Sequence, residues 1–224
     1  MDMTFSTPGL QEFALRDQDN LFDEIVSSIE EKGYFVGLNA LPDGIVNLLK
    51  AHALGNDDGY HLASIGRGTD NTLAKKIRSD KVSWLFEGED ALKPWFSWAA
   101  GLKSHVNRSL FLGLFSFECH LARYEPGDFY KKHIDAFRGE ANRILTLVTY
   151  LNDHWTVEHG GELLLFSEDG QSVIEVIKPE SGTVVVFLSE VFPHEVLPSR
   201  AVRHSVAGWF RLNSSVSGRV DPPR

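Results

Sequence analysis

The second half of the chain is a succession of short strand-like segments, and this pattern limits the possible fold more than any other feature of the sequence. Beyond Leu110, apolar runs predict eight strands. They cover residues 114–124, 129–135, 142–151, 161–167, 173–178, 183–189, 193–197 and 202–212. Turn signals separate them, among them Pro126-Gly127 and Glu168-Asp169-Gly170. Many short strands with no long helix between them predict two packed sheets of the jelly-roll type, the double-stranded β-helix.

The first half has a helical period instead. Apolar residues at helical spacing predict amphipathic helices over 19–32, 41–54 and 91–107, and a short strand over 34–36. We therefore predict an α+β, mainly β fold in which N-terminal helices buttress the jelly-roll core. At 224 residues one domain is expected. Within it, residues 1–110 supply helical support and a loop, 111–212 form the core, and 213–224 are a flexible tail.

Residues 55–76 are rich in glycine and polar side chains, with Gly55, Gly59, Gly66 and Gly68 among them. They lack the spacing and the Lys-Ser/Thr ending of a phosphate-binding loop. Two interpretations stay open for this segment. It is either a mobile loop that covers a substrate or an ordinary surface loop.

His133-Ile134-Asp135 and His194 are the candidate metal ligands. Residues two apart on a strand point to the same side, so His133 and Asp135 can reach one ion. His194 follows the apolar run over 183–188, so a polar side chain emerges at the end of a buried strand. Jelly-roll topology makes neighbours of strands that are distant in sequence, which allows His133 and His194 to converge. Two imidazoles and one carboxylate are the ligand set of non-heme Fe(II) oxygenases.

Arg203 adds a second element of the same chemistry. A cosubstrate such as 2-oxoglutarate chelates iron through its keto acid end and leaves a distal carboxylate, which a planar Arg binds with two hydrogen bonds and Lys does not. Arg203 and Ser205 alternate along a strand-like segment and therefore share a face. Taken alone, such an Arg is usually a surface group, but beside a metal triad it is a candidate carboxylate clamp.

The chain from about Leu121 to Arg211 resembles the catalytic core of the Fe(II)/2-oxoglutarate-dependent prolyl hydroxylases, in particular the oxygen-sensing prolyl hydroxylases and their bacterial relatives. Several separate motifs occur in the same order as in that family. They are Tyr124-Glu125-Pro126-Gly127-Asp128-Phe129-Tyr130-Lys131-Lys132-His133-Ile134-Asp135, Arg143 through Thr149-Tyr150-Leu151-Asn152, Gly160-Gly161-Glu162-Leu163, and Pro193-His194-Glu195-Val196-Leu197-Pro198 with Arg203 and Trp209. A weaker match covers residues 77–84.

The resemblance implies a function for individual residues. His133, Asp135 and His194 would bind Fe(II), and Arg203 would bind the distal carboxylate of 2-oxoglutarate. The other residues implied in cosubstrate binding are Tyr150 and Tyr124, and Ser205 is added because it shares a face with Arg203. Those implied in substrate binding are Tyr130, Arg143, Trp209 and, from the weaker match, Arg78. For Tyr130, Arg143 and Trp209, ordinary packing or surface charge is an equally good explanation.

The implied reaction is hydroxylation of a prolyl residue in a protein substrate by dioxygen, coupled to decarboxylation of 2-oxoglutarate to succinate and CO2, with ascorbate as a candidate reductant. Two alternatives stay open: the same chemistry on a nucleic-acid base or small metabolite, and a catalytically silent metal-binding sensor module. A formal charge of −9 disfavours a nucleic-acid partner. A second metal site at His154, Glu158, His159 and Glu162 is a weaker alternative, because a solvated loop explains that cluster as well.

Cellular location follows from other features. Cys119 is the only cysteine, so no intramolecular disulfide can form. No apolar run approaches eighteen residues, and residues 1–20 lack the apolar core of a signal peptide. We expect a cytoplasmic protein with no membrane partner, in a reducing compartment where Fe(II) is available.

Overall fold

Two antiparallel sheets form the body of the protein in a computed structural model. The structure describes residues 8–55, 59–63, 76–136, 142–213, 215–216 and 219–220; the side chains of 8–17 and of the residues beyond 213 are not described. The helices are α1 (Pro8–Lys32), α2 (Asp43–Leu54) and α3 (Lys93–Leu110), and a short 3-10 turn (Asp90–Leu92) precedes α3. None of the helices within the described ranges is long and apolar enough to cross a membrane.

The nine predicted strands are present, together with four that were not predicted, at 61–62, 81–85, 215–216 and 219–220, which makes thirteen strands within the described residues. They are β1 (Tyr34–Gly37), β2 (His61–Leu62), β3 (Lys81–Leu85), β4 (Ser116–Tyr124), β5 (Tyr130–His133), β6 (Arg143–Tyr150), β7 (Leu163–Phe166), β8 (Val173–Ile177), β9 (Val184–Leu188), β10 (His194–Val196), β11 (Arg203–Arg211), β12 (Ser215–Val216) and β13 (Arg219–Val220). The predicted jelly-roll class with N-terminal helices is confirmed.

The larger sheet has the order β1-β9-β6-β11-β4-β3-β2, and the smaller has the order β5-β10-β7-β8. On β6, Leu145 and Leu147 pack with the helices, whereas Val148 and Tyr150 pack in the core between the sheets. Because side chains alternate across a strand, this one segment contributes to both cores. Strand β9, Val-Val-Val-Phe-Leu, is apolar at every position because the helices cover one face and the smaller sheet covers the other.

The helices cover the outer face of the larger sheet. Leu102 and Trp95 of α3 are fully buried, and Pro94 lies in the first turn, where its missing N–H removes no helical hydrogen bond. Helix α3 ends at Leu110, and the capping residue Phe111 has a left-handed backbone conformation with φ of 54°. Helix α1 begins at Pro8, earlier than the predicted start at Asp19. The prediction was too short because it followed the apolar period, which is clear only from Leu21 onward.

Two further differences concern the candidate site and the termini. Strand β5 ends at His133, so Asp135 lies in the bend beyond the strand. The prediction that Asp135 lies on the strand was wrong. Most of the predicted substrate loop, at 56–58 and 64–75, lies outside the described residues, as does much of the predicted tail. Residues 215–216 and 219–220 of that tail pair as β12 and β13. The division of the domain at 110 and 212 stays a prediction.

Candidate metal centre

His133 and His194 are directly opposite each other on two neighbouring strands of the smaller sheet. Strands β5 and β10 pair antiparallel with His194 directly opposite His133, so the sheet itself brings together residues that are sixty-one positions apart. Asp135 lies beside both: His133 Nε2 is 3.6 Å from Oδ1, and His194 Nε2 is 3.6 Å from Oδ2. One ligand atom from each residue lies within 4.8 Å of the other two. Such a group can hold one ion from a single side.

The two imidazoles are held with the same nitrogen toward Asp135. His133 Nδ1 is 2.8 Å from the carbonyl oxygen of Lys131, and His194 Nδ1 is 3.2 Å from that of Phe192. A carbonyl only accepts, so each Nδ1 carries a proton, and Nε2 is the nitrogen that has the lone pair when the ring is neutral. Carbonyl partners of this kind orient the histidine ligands of protein metal sites.

The charge states also suit a cation. Burial would raise the pKa of the Asp135 carboxyl, but His194 and His133 outweigh it and hold that pKa well below its usual value. Burial, with a smaller contribution from His133, lowers the pKa of His194 to about 4. At neutral pH the group therefore offers a carboxylate and a neutral imidazole at these two positions, which are the forms that bind metal.

An aromatic ring packs against each of the two histidines. The Tyr130 ring stacks on His133 with centroids 3.5 Å apart, and the Phe187 ring lies 4.8 Å from His194. These contacts leave the imidazoles few alternative rotamers. The cluster is consequently rigid at two of its three members.

Arg203 lies in the same cavity as the triad, a space of about 420 Å³. It is only 1% exposed, and its guanidinium donates from Nε to the Gly161 carbonyl (2.9 Å) and from Nη1 to Ser205 Oγ (3.2 Å). Within the described part of the chain, no carboxylate forms an ion pair with it. A buried guanidinium normally requires a counter-ion, so this position suits an anionic group of a small molecule.

Two tyrosines complete the surroundings of the guanidinium. The rings of Tyr124 and Tyr150 lie 4.7 and 5.0 Å from its central carbon. The buried Tyr150 hydroxyl has no hydrogen-bond partner among the described residues, and burial raises its pKa to about 12. The fit to the implied cofactors is good: two nitrogens and one carboxylate oxygen for Fe(II), and free N–H groups for a carboxylate. Every predicted site residue except Tyr150 lines the cavity.

The predicted substrate-binding arginines lie at this cavity but are engaged by other groups. Arg78 pairs with Asp80 at 2.7 Å and lies 4.3 Å from the Tyr130 ring. Arg143 lies 3.7 Å above the Trp209 ring and pairs with Glu118 at 2.8 Å. Both arginines therefore shape the wall of the cavity, whatever they bind. Their assignment to substrate stays a prediction.

Among the cavity residues that were not selected from the sequence, His120 and Thr146 carry polar groups close to the site. His120 lines the cavity between the Trp84 and Trp209 rings, at 5.2 and 5.3 Å, and its buried Nδ1 has no hydrogen-bond partner among the described residues. Thr146 donates a 2.7 Å hydrogen bond to Asp135. Strand parity could have found His120, because it lies four residues before Tyr124 and so on the same face of β4.

The alternative metal site is not assembled. Within the described residues, the only group of three or more His, Cys, Asp or Glu side chains close enough to share an ion is His133, Asp135 and His194. His159 Nδ1 instead accepts a 3.0 Å hydrogen bond from the Thr156 backbone. His159 thus caps a short 3-10 turn, Val157–His159.

Known proteins share this core sequence. A model of the 2OG-Fe(II) oxygenase superfamily matches residues 119–211. Prolyl hydroxylase EGLN3 is 36% identical over 86 residues in the Mus musculus protein and 37% identical over 86 residues in the Homo sapiens protein. These matches cover 38% of this chain and 35% of each relative. The chain thus spans about a third of the length of the curated relatives it matches.

Solved structures match over most of the chain. A Pseudomonas putida prolyl-4-hydroxylase is 35% identical with a TM-score of 0.77, and the match covers 87% of this chain and 100% of that one. A Trichoplax adhaerens prolyl hydroxylase in complex with a hypoxia inducible factor peptide fragment shares the fold, with a TM-score of 0.78 at 24% identity over 92% of this chain and 94% of that one. Sequence, fold and ligand set agree: this chain belongs to the 2OG-Fe(II) oxygenase superfamily and is of its prolyl hydroxylase type.

Proposed function

We propose that this protein is an Fe(II)- and 2-oxoglutarate-dependent dioxygenase that hydroxylates a prolyl residue in a protein substrate. One observation carries the proposal. A cluster of two imidazoles and a carboxylate shares a single cavity with Arg203, a buried guanidinium that has no carboxylate partner among the described residues. The first feature suits a metal with open coordination positions, and the second suits a dicarboxylate cosubstrate.

His133, Asp135 and His194 are the residues that would hold the iron. When bound, the iron supplies the oxidative chemistry with dioxygen, in which 2-oxoglutarate is converted to succinate and CO2. Arg203 and Ser205 bind the far carboxylate of the cosubstrate and so fix its orientation. Tyr124, against the Arg203 guanidinium, limits the space on one side of that carboxylate.

The cavity walls keep the reacting groups away from water. Apolar side chains of both sheets contribute to the lining of the cavity, among them Ala122, Val148, Leu163 and Val196. Three of them are at most 6% exposed and Val148 is 8% exposed. A dry, apolar wall strengthens the charge-assisted hydrogen bonds of Arg203 and limits side reactions of an oxidising centre.

Two observations support a prolyl residue of a polypeptide as the substrate. The motifs of the core resemble those of prolyl hydroxylases, and the Pseudomonas putida protein that matches over its whole length is a prolyl-4-hydroxylase. In addition, Val82 and the exposed Trp84 line the cavity, and apolar surfaces of this kind suit a pyrrolidine ring. The −9 charge favours a protein over a nucleic acid as the partner.

The decisive experiment uses the iron-loaded protein on a complex protein mixture. Incubation with Fe(II), 2-oxoglutarate and cell lysate should yield proline residues that carry one added oxygen, detected by mass spectrometry. Asp135→Ala, incubated in parallel, should yield none above background. Succinate formation that depends on Fe(II) and 2-oxoglutarate, without new hydroxyproline, would leave the oxygenase chemistry and overturn the substrate. Absence of both from the wild-type protein would overturn the proposal as a whole.

Ascorbate as the reductant and a cytoplasmic location are also part of this proposal. The buried thiol of Cys119 is consistent with a reducing compartment, where iron stays ferrous. The ascorbate dependence is tested in the same incubation, by comparing hydroxyproline yield over many turnovers with and without ascorbate.

A further inference from the structure

The third ligand, Asp135, is placed differently from the two histidines. It follows the end of β5 in a bend, so no sheet pairing orients it. The shortest hydrogen bond that its carboxylate accepts comes from Thr146 Oγ1, at 2.7 Å from Oδ2. Thr146 Oγ1 lies in turn 2.9 Å from Ser189 Oγ. Thr146 is 1% exposed and Ser189 is fully buried.

The direction of these two hydrogen bonds follows from the proton count. An ionised carboxylate only accepts hydrogen bonds, and a threonine hydroxyl has a single proton. Thr146 therefore donates its proton to Asp135, and its oxygen must accept from Ser189. The chain of donors runs in one direction, from Ser189 to Thr146 to Asp135.

The two hydroxyl groups of these hydrogen bonds are held by the larger sheet, in a row of residues that contacts the triad. Thr146 lies on β6 between two cross-strand partners, Trp209 of β11 and Phe187 of β9. The Phe187 ring packs on His194, so two members of one row across the sheet contact the triad. Ser189 follows β9 directly, and its backbone N–H donates to the carbonyl of Ile144, two residues before Thr146. Both hydroxyls are thus anchored on the rigid sheet, whereas Asp135 is not.

We propose that Ser189 and Thr146 are positioning residues, which form a one-way hydrogen-bond relay that holds the Asp135 carboxylate in its metal-binding orientation. This inference rests on the metal site of the proposed function. Thr146 engages Oδ2, which lies 3.6 Å from His194 Nε2, and does not engage Oδ1, which lies 3.6 Å from His133 Nε2. Asp135 would then bind the ion through Oδ1 and keep Oδ2 in the relay.

Loss of the relay has two opposing effects on metal affinity. A carboxylate without this hydrogen bond is a stronger base, which favours metal binding, but its orientation is less restricted and it can pair with other donors, such as Trp209. Removal of the partners that orient a metal ligand usually weakens binding by about 10- to 100-fold, so the orientation effect is the larger one.

The test measures Mn²⁺ affinity of the metal-free protein, with free Mn²⁺ quantified by its EPR signal. Thr146→Val removes the hydroxyl and keeps the shape, and we expect affinity to fall by about 10- to 100-fold. Thr146→Ser restores the donor and should bind nearly as the wild type does. Ser189→Ala should cause a smaller loss, because Thr146 keeps its proton for Asp135.

Thr149→Val is the matched control. Thr149 is on the same strand, is fully buried, and donates a 2.9 Å hydrogen bond to the Thr183 carbonyl, away from the triad. The Thr149→Val variant should be less stable than the wild type and should bind Mn²⁺ with wild-type affinity. The relay is overturned by wild-type affinity in Thr146→Val, or by an equal loss in Thr149→Val. If Thr146→Val does not fold, Ser189→Ala decides: a loss of affinity supports the relay, and wild-type affinity overturns it.

Asp135→Ala separates this inference from the proposed function. If it binds Mn²⁺ as tightly as the wild type, the metal site is wrong and the proposed function fails with it. If Asp135→Ala loses binding while Thr146→Val retains it, only the relay fails.

Discussion

Replacement of Arg203 by Met should remove most of the affinity for 2-oxoglutarate. The guanidinium has five N–H donors, of which the Gly161 carbonyl and Ser205 Oγ occupy two. Three donors remain in a site that is 1% exposed. A carboxylate bound by two of them gains about 1.5–3 kcal/mol from each charge-assisted bond, or about 3–6 kcal/mol in total. At about 1.4 kcal/mol per tenfold, affinity should fall by at least about 100-fold.

Isothermal titration of 2-oxoglutarate into the Mn²⁺-loaded protein measures this loss without turnover. Arg203→Lys keeps the charge but not the planar pair of donors, and should lie between the wild type and Arg203→Met. Arg211→Met is the control, since Arg211 is on the same strand but pairs with Glu118 at 3.0 Å. Wild-type affinity in Arg203→Met would refute the reasoning, as would an equal loss in Arg211→Met.

Three further predictions concern neighbours of the clamp and the cavity wall. Tyr150→Phe removes a hydroxyl that has no hydrogen-bond partner among the described residues and is therefore available to the cosubstrate. The affinity for 2-oxoglutarate should fall by about 2- to 10-fold in the same titration. An unchanged affinity would contradict a contact between this hydroxyl and the cosubstrate. Gly161→Ala adds a Cβ at φ +70° only 3.0 Å from Arg203 Cδ, and should lower both stability and 2-oxoglutarate affinity. Gly170→Ala is the control, because Gly170 has the same φ and its nearest contact is at 3.7 Å, so this variant should lower stability alone. Equal losses of affinity in the two variants would contradict the prediction. Burial, helped by Arg78 and Arg143, lowers the pKa of His120 to about 3. The unfolded state therefore binds a proton below about pH 6.5 that the folded state does not, and this contribution to stability falls by about 1.4 kcal/mol per pH unit on acidification. Urea unfolding of His120→Phe between pH 7 and 5 should show a shallower loss of stability than the wild type, and identical slopes would show that His120 is not buried in neutral form.

The strands were predictable because their signal is local. An apolar run such as β9 and a turn such as Glu168-Asp169-Gly170 can be recognised within a few residues, and the bounds of the nine predicted strands lie within two residues of the observed ones. Strands β2 and β3 lack such an apolar run and were not predicted. Helix α1 was less predictable, because the polar run Arg16-Asp17-Gln18-Asp19-Asn20 interrupts its apolar period.

Residues of the candidate site were predictable only where a short motif, or the alternation of side chains along one strand, was enough to identify them. His133 and Asp135 belong to one motif, but their relation to His194 depends on the β5–β10 register, which no local pattern specifies. Thr146 is a threonine in a run of buried strand residues, and only the packing of two sheets shows that it faces Asp135. Arg203 is buried and has no acid partner in the part of the chain that the structure describes, and this too is a property of the folded chain.

The central claim is that one ion binds between His133, Asp135 and His194. Anomalous diffraction from crystals grown with Mn²⁺ tests it most directly, because the manganese position is determined independently of the protein atoms. The account predicts a single strong peak within coordination distance of both Nε2 atoms and of one Asp135 oxygen, with the other oxygen still bonded to Thr146. An ion bound elsewhere, or three side chains that turn away from it, would contradict the account.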